Sequence, residues 1–336
     1  METSAIEHAR RLTRYLRENQ GRLVIDADTH ATDIVRNPRR PVEHYYHGRP
    51  LSAEDLIAEM DLAGVSMCNA WQNPASTRYP GGEDENAEAL LDANRYVAAC
   101  AERYPDRFIA SGWTDPKACG VSNACRIAEI CVREFGFAIV KMNPAQNAYP
   151  IDSPQVTAVV DHIVSLGATP AFHYGADSPY TPASGLEKIA LRHPDHPILA
   201  VHMGGGGAGY VEAEPLYHAS RELGLRLPNI RYAFSAKRDT YIEEALIQYQ
   251  IAGPPFSENL FCASDAPYGR MSWNYGGFRA MFDGLMQSEK HPDPRVRARP
   301  GLFRPEAVRG YLGRNFARFV LDAYERLLAR QQGAAA

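Results

Sequence analysis

Eight short apolar runs, each followed by a helix-patterned segment, constrain this 336-residue chain more than anything else in it. The runs fall at 23–28, 65–70, 107–112, 137–142, 169–173, 197–202, 229–234 and 259–264. Helical patterning lies between them near 52–63, 84–103, 119–135, 154–166, 184–193, 210–223 and 239–251. Gly64, Gly136, Gly167 and Gly224 each stand just before the next run, where a helix C-terminal glycine belongs. Ser52 with Asp55 gives a helix start signal at the first of these segments. Strands alternating with helices predict a parallel α/β sheet, and eight of them favour a closed (β/α)₈ TIM barrel over an open sheet. An open doubly wound sheet would want a glycine-rich phosphate turn after an early strand, and VIDADTH supplies none.

The reading is of one domain over 1–336. It has an extra N-terminal helix within 1–20, a barrel over 21–290 and closing helices over 300–331. No linker, repeat or low-complexity segment interrupts it. The formal net charge of −4 with no long basic run gives no reason to expect a nucleic acid or membrane partner. No apolar stretch approaches the roughly 20 residues that span a bilayer, and the charged N-terminus lacks a signal core, so a cytoplasmic location is expected. Six cysteines occur with no CxxC spacing, which suits buried free thiols. The N-terminal helix permits a homodimer.

The strand ends carry the chemistry. The first run turns polar in VIDADTH, and residues two apart on a strand point the same way, so Asp28 and His30 aim together. AFHYG ends on His173, LAVHMG on His202, and FCASDAPYG carries Asp265. In a barrel these C-terminal ends share one rim, and the last strand neighbours the first. Asp28, His30, His173, His202 and Asp265 can therefore meet near the axis, as a divalent metal would require. Asp26 is expected one layer deeper, orienting a ligand or pairing with a cation. Two segments after strands read as long loops, 31–51 and 265–278. Tyr45, Tyr46, His47, Arg49 and Trp273 on them either wall a polar aromatic or carboxylate substrate or serve packing. The glycine run at 204–207 lacks a phosphate-loop lysine and instead lets backbone pass close to a metal or substrate.

The ordered motifs VIDADTH, GFAIVKMNPAQNAYPIDSP, AFHYGA, LAVHMGG, ASDAPYG and YLGRNFARFVL resemble the amidohydrolase superfamily, in its branch of metal-dependent TIM-barrel hydrolases and decarboxylases. The resemblance runs along nearly the whole chain. It implies metal ligation by the strand 1 pair, His173 and Asp265, with Asp265 also a proton shuttle and His202 polarising substrate or water. The family's HxH is Asp28-Thr29-His30 here, which makes the site harder and more anionic. One divalent metal is expected, Zn²⁺ first, with Mn²⁺ or Fe²⁺ as alternatives. Two-metal relatives place a carboxylated lysine where Lys141 ends strand 4, and that arrangement would recruit His202 to a second metal. A free Lys141 ammonium that binds a substrate carboxylate or an acidic neighbour is the preferred alternative.

The leading functional expectation is hydrolysis of an amide, lactone or related bond in a small organic or aromatic acid by metal-activated water. The same groups run backwards would give a cyclising dehydration. A nonoxidative decarboxylase of an aromatic or unsaturated carboxylate is the second reading, and a non-catalytic barrel with a dead metal site is the third.

Overall fold

The structure is a computed structural model that describes residues 3–36, 50–77, 79, 81–175, 179–205, 214–235 and 239–334. Nine parallel segments form the sheet: β1 Ile25–Ala31, β2 Met67–Gln72, β3 Phe108–Ala110, β4 Gly112–Trp113, β5 Ile139–Met142, β6 Thr169–His173, β7 Ile198–Val201, β8 Ile230–Phe234 and β9 Leu260–Cys262. They order as β1-β2-β3 and β4-β5-β6-β7-β8-β9. β3 and β4 are two halves of one barrel strand, divided only at Ser111, with β3 pairing to β2 and β4 to β5. Ser111 bridges the division, its N–H donating to the Ala70 carbonyl at 3.0 Å and its hydroxyl to Asn69 at 2.7 Å. The expected eight strands are thus all present, and the architecture is the (β/α)₈ barrel.

The barrel closes between the ends of β1 and the segment after β9. Thr29 bridges Ala266 in parallel, His30 N–H donates to the Ala266 carbonyl at 2.7 Å, and Asp265 N–H donates to the Asp28 carbonyl at 2.9 Å. β1 runs to Ala31, beyond the expected end at 28, because its polar end keeps pairing with β2, His30 opposite Trp71 and Ala31 opposite Gln72. Its register with β2 shifts between Asp26 and Thr29, the kind of irregularity that re-aims side chains near active sites.

Helix signals hold at most boundaries. Ser52 and Asp55 form the reciprocal capping box of the Ala53–Ala63 helix, which ends on Gly64 at φ 62°. Gly224 differs from expectation. It lies inside the Glu214–Arg226 helix, where an added Cβ would collide with the Tyr249 hydroxyl and the Tyr232 ring. Its smallness serves helix-to-barrel packing rather than a helix end. The expected loop 265–278 also needs correction, because a 16-residue helix, Met271–Met286, begins inside it. Met271, Tyr275, Phe278, Phe282 and Leu285 are buried at helical spacing, so one apolar stripe docks the segment on the barrel.

The N-terminal helix Thr3–Asn19 and the final helix Asn315–Ala334 pack together outside the barrel, with Arg17 and Glu325 paired at 2.6 Å. Five of the six cysteines are buried, Cys125 is half-buried, and all are free thiols. No helix among the described residues is long and apolar enough to cross a membrane.

Candidate metal centre and active site

The rim at the C-terminal ends of the strands gathers the five ligand-type residues expected there. On the β1 and β9 side, His30 Nε2 lies 3.3 Å from Asp265 Oδ1 and 3.9 Å from Asp28 Oδ1. On the β6 and β7 side, His202 Nε2 lies 3.2 Å from His173 Nδ1 and 4.0 Å from Asp28 Oδ2. Asp28 therefore stands between the two halves. One ligand atom each from Asp28, His202 and Asp265 lies within 4.8 Å of the others, a donor set able to hold a metal ion. His30 and His173 flank that group, and each is close to one of its members.

Lys141 enters the cluster in a way the sequence left open. Its ammonium is fully buried and bonds Asp28 Oδ1 at 2.9 Å, and Asp28 is fully buried too. The same Nζ sits 5.0 Å from the Trp71 ring centre and 5.1 Å from that of Trp113, an aromatic cradle for a desolvated cation. Of the two free-ammonium roles expected, pairing with an acidic neighbour is the one the structure contains. Burial acts to raise the Asp28 carboxyl, but the Lys141 charge and then His30 outweigh it and hold the group below its usual range.

Asp265 moves the other way. Burial pushes its carboxyl up to about 6, and the nearby Asp28 charge adds to this against the His30 hydrogen bond. Two carboxyl groups at one centre are thus split, one ionised and one poised near neutrality, which is how acid and base roles separate. Asp265 keeps 13% of its side chain exposed, whereas Asp28 keeps none.

The backbone is strained at the residues that converge. His202 sits at φ 77°, Met203 at φ 46° and Asp265 at φ 59°, the left-handed region that side chains rarely adopt. Such strain persists only where the surroundings enforce it. Asp265 is enforced by its backbone bond to Asp28, and His202 by its N–H bond to the Ala233 carbonyl at 2.8 Å.

Outer hydrogen bonds set ring orientation. His30 Nδ1 is 2.8 Å from the Gln72 carbonyl, so Nδ1–H donates to it and Nε2 is the ring nitrogen turned toward the cluster. Ser235 Oγ donates to Asp28 Oδ2 at 3.3 Å and lies 2.8 Å from His202 Nδ1. Its single proton goes to the carboxylate, so His202 Nδ1–H donates to Ser235 and Nε2 is left as an acceptor. Facing carboxylates with such lone pairs is stable when a cation lies among them, so the residues present fit a divalent metal.

Asp26 lies deeper, as expected, yet pairs with no cation among the described residues. Its Oδ1 accepts from the N–H of Ser264 at 2.9 Å and of Asp28 at 3.2 Å, tying β1 to the segment that bears Asp265. Burial raises its carboxyl to about 8, against the bonds from Ser264 and Asp28.

Tyr45, Tyr46, His47 and Arg49 lie outside the described residues, as do Gly206 and Gly207 of the glycine run. Trp273 is two-thirds exposed in the first turn of the Met271–Met286 helix, with the Arg270 guanidinium 5.5 Å from its ring centre. Sequence reasoning missed Ser235, Trp71, Trp113 and Tyr268, whose ring meets that of His30 edge-on at 5.4 Å. The signal for Ser235 was available, since it follows β8 at the rim.

The sequence matches the profile of the family described as amidohydrolase over residues 25–300. The chain belongs to the amidohydrolase family. No curated protein matches it significantly in sequence. Among solved structures, this amidohydrolase is similar to 2,6-dihydroxybenzoate decarboxylase from Rhizobium, with a TM-score of 0.60 and 17% identity over 89% of this chain and 98% of that one. It is also similar to 5-carboxyvanillate decarboxylase from Novosphingobium aromaticivorans, solved with bound manganese, with a TM-score of 0.61 and 16% identity over 90% and 97%. A TIM-barrel protein from Bordetella bronchiseptica matches at a TM-score of 0.59 and 16% identity over 89% and 99%. At these identities the likeness carries the barrel fold.

Proposed function

We propose that this amidohydrolase is a metal-dependent, nonoxidative decarboxylase of a hydroxylated aromatic or related unsaturated carboxylic acid. The observation that carries the reading is the convergence of Asp265 with Asp28 and His202, beside His30, in a centre that fits a metal and where the Asp265 side chain alone of the two carboxylates keeps some exposure. A carboxyl so placed can hand a proton to carbon. Two of the similar barrels are decarboxylases of hydroxybenzoate-type acids, which supports the same choice.

Asp28, His202 and Asp265, flanked by His30 and His173, would hold one divalent ion, and the precedent of the manganese-bound barrel makes Mn²⁺ at least as good a candidate as Zn²⁺. When bound, the metal would supply positive charge to the substrate carboxylate and a neighbouring oxygen. Lys141 keeps Asp28 ionised and fixed. Ser235 holds the His202 ring so that Nε2 faces inward. Asp265 gives its proton to the ring carbon that bears the carboxylate. The bond from that carbon to the carboxylate then breaks, its electron pair restores the ring, and CO₂ leaves. Tyr268 and Trp113, which meet His30 edge-on, give the site an aromatic flank.

This inverts the order of the two readings drawn from sequence. Hydrolysis came first there; the segment after Lys141 forms the short helix Pro144–Asn147, with the Asn143 side chain accepting from the Gln146 N–H. Hydrolysis stays the second reading, because Asp265 beside a metal could equally accept a proton from water.

The test is a panel of hydroxybenzoates carrying ¹³C in the carboxyl group, assayed in H₂¹⁸O with Mn²⁺ or Zn²⁺ supplied. Labelled CO₂ with no ¹⁸O in the organic product is expected. Esters, lactones or amides that gain ¹⁸O, with no CO₂ from any acid, would replace decarboxylation by hydrolysis.

A further inference from the structure

The opposite end of the barrel holds a second chemical feature, remote from the rim. A cavity of about 540 Å³ opens there, lined by residues that precede β7, β8 and β9 (Pro197, Asn229 and Asn259) and by one face of the final helix. Asn315, Arg318, Asp322 and Arg326 line it from that helix, at helical spacing. Three arginines reach it, Arg231, Arg318 and Arg326, and so do three acidic residues, Asp195, Glu258 and Asp322.

Their partners are unequal. Arg318 is paired with Glu258 at 3.0 Å and both are largely exposed. Arg231 and Arg326 are half-buried, and among the described residues neither has a carboxylate within the 4.0 Å of an ion pair. Among the described residues, Arg231 donates to the Pro228 carbonyl alone, Arg326 donates to the Thr169 hydroxyl at 2.9 Å, and the buried Arg326 Nε has no hydrogen-bond partner. Burial lowers both guanidiniums, Arg231 to about 10, and outweighs the Asp322 charge that acts to raise each of them. Desolvated charges are ordinarily paired in the native state. Two guanidiniums facing one cavity without an ion pair are a fork awaiting oxygen atoms, and guanidinium meets carboxylate and phosphate oxygens bidentately.

We propose that this cavity is a binding site for a small oxyanion, a carboxylate or a phosphate group, held between Arg231 and Arg326. The volume lies within the range of small-molecule sites, so the anion can belong to a larger organic ligand. Asp322, exposed at the cavity edge, is the carboxylate whose charge acts most on both arginines, so it competes with the anion for them. The site is separated from the catalytic rim by the length of the strands, and it does not depend on the reaction assigned to that rim.

Isothermal titration of the full chain with inorganic phosphate, and separately with succinate, tests this and tells the two oxyanion sources apart. We expect saturable binding of one equivalent of at least one of them, with a dissociation constant of about 1 mM or below. Arg231→Gln and Arg326→Gln should each weaken it about tenfold or more. Asp322→Asn, a change on an exposed helix face that leaves folding intact, should tighten it roughly threefold. Failure of both anions to saturate by about 10 mM, or binding that survives in Arg231→Gln and Arg326→Gln proteins with unaltered melting temperatures, overturns the proposal.

Discussion

The two halves of the metal centre are built by different means. On the β1 and β9 side, Asp28, His30 and Asp265 are locked by backbone pairing, through the Thr29 bridge to Ala266 and the bonds from His30 N–H and Asp265 N–H. On the β6 and β7 side, His173 and His202 are positioned through each other and through Ser235, and His202 leaves its strand in a left-handed turn. The ladder half is fixed once the barrel closes. The histidine half depends more on side-chain hydrogen bonds, from His202 to His173 and to Ser235. On the proposed reading the rigid half carries the proton chemistry, and the histidine half is the one that a substitution can loosen.

The largest expected effect tests the rigid half. Asp265→Asn keeps shape and backbone bonding but removes both the proton and a ligand charge of the metal set, so turnover should fall by about 10²–10⁴-fold or more with an unchanged circular dichroism spectrum. Retained turnover would move the acid elsewhere. His173→Ala should also abolish turnover, through loss of metal that elemental analysis would record. Full metal occupancy there would remove His173 from the ligand set.

Lys141→Met tests the buried pair that joins the halves. It leaves the Asp28 carboxylate without its counter-ion, so the metal-free protein should lose about 3–5 kcal/mol in denaturant unfolding. Added Mn²⁺ should restore part of that, because a metal supplies the missing charge. A neutral effect in both states would mean that the Asp28–Lys141 bond at 2.9 Å does not set the site's charge balance.

Ser235→Ala sharpens the contrast between halves. It removes the group that fixes the His202 tautomer, so metal affinity should drop about 10–100-fold while stability falls by only about 1–3 kcal/mol. Equal metal affinity to wild type, measured by competition with a chromophoric chelator, would show that the histidine half is held without it.

The smallest effect lies outside the centre. Burial lowers His8 and His196 to about 4, from an ordinary 6.5. Both are neutral in the folded and unfolded states above pH 6.5, so stability there is insensitive to them. Between about 6.5 and 4 the unfolded chain takes up protons that the fold refuses, so stability falls with acidification through that window. His196→Asn should flatten part of that slope in unfolding measured across the window, and an unchanged slope would exclude the residue from it.

Much of this was legible from sequence because strand ends are marked by composition. Apolar runs that stop at Asp28, His30, His173, His202 and Asp265 fix both the barrel and its rim. What was not legible is what depends on contacts between distant positions. Lys141 and Asp28 are 113 residues apart, and nothing local chooses a carboxylate partner over a substrate. Ser235 is one of many serines until the fold sets it between Asp28 and His202. The Met271–Met286 helix was hidden by Gly276 and Gly277, whose loop signal outweighed a buried stripe that begins at Met271 and Tyr275. Gly224 misled in the opposite sense, since its role is room for Tyr232 and Tyr249.

The central claim is that these two halves share one divalent metal. Metal content per chain, by elemental analysis of protein purified without a histidine tag or chelator, tests it most directly. The account predicts about one Mn or Zn per chain, and close to none in Asp265→Asn and His173→Ala proteins. Two metals per chain would make Lys141 a bridging carbamate and His202 a ligand of the second ion. No metal, with no gain in melting temperature when metal is added, would contradict the centre itself and leave the Lys141 ammonium as the cation that balances Asp28.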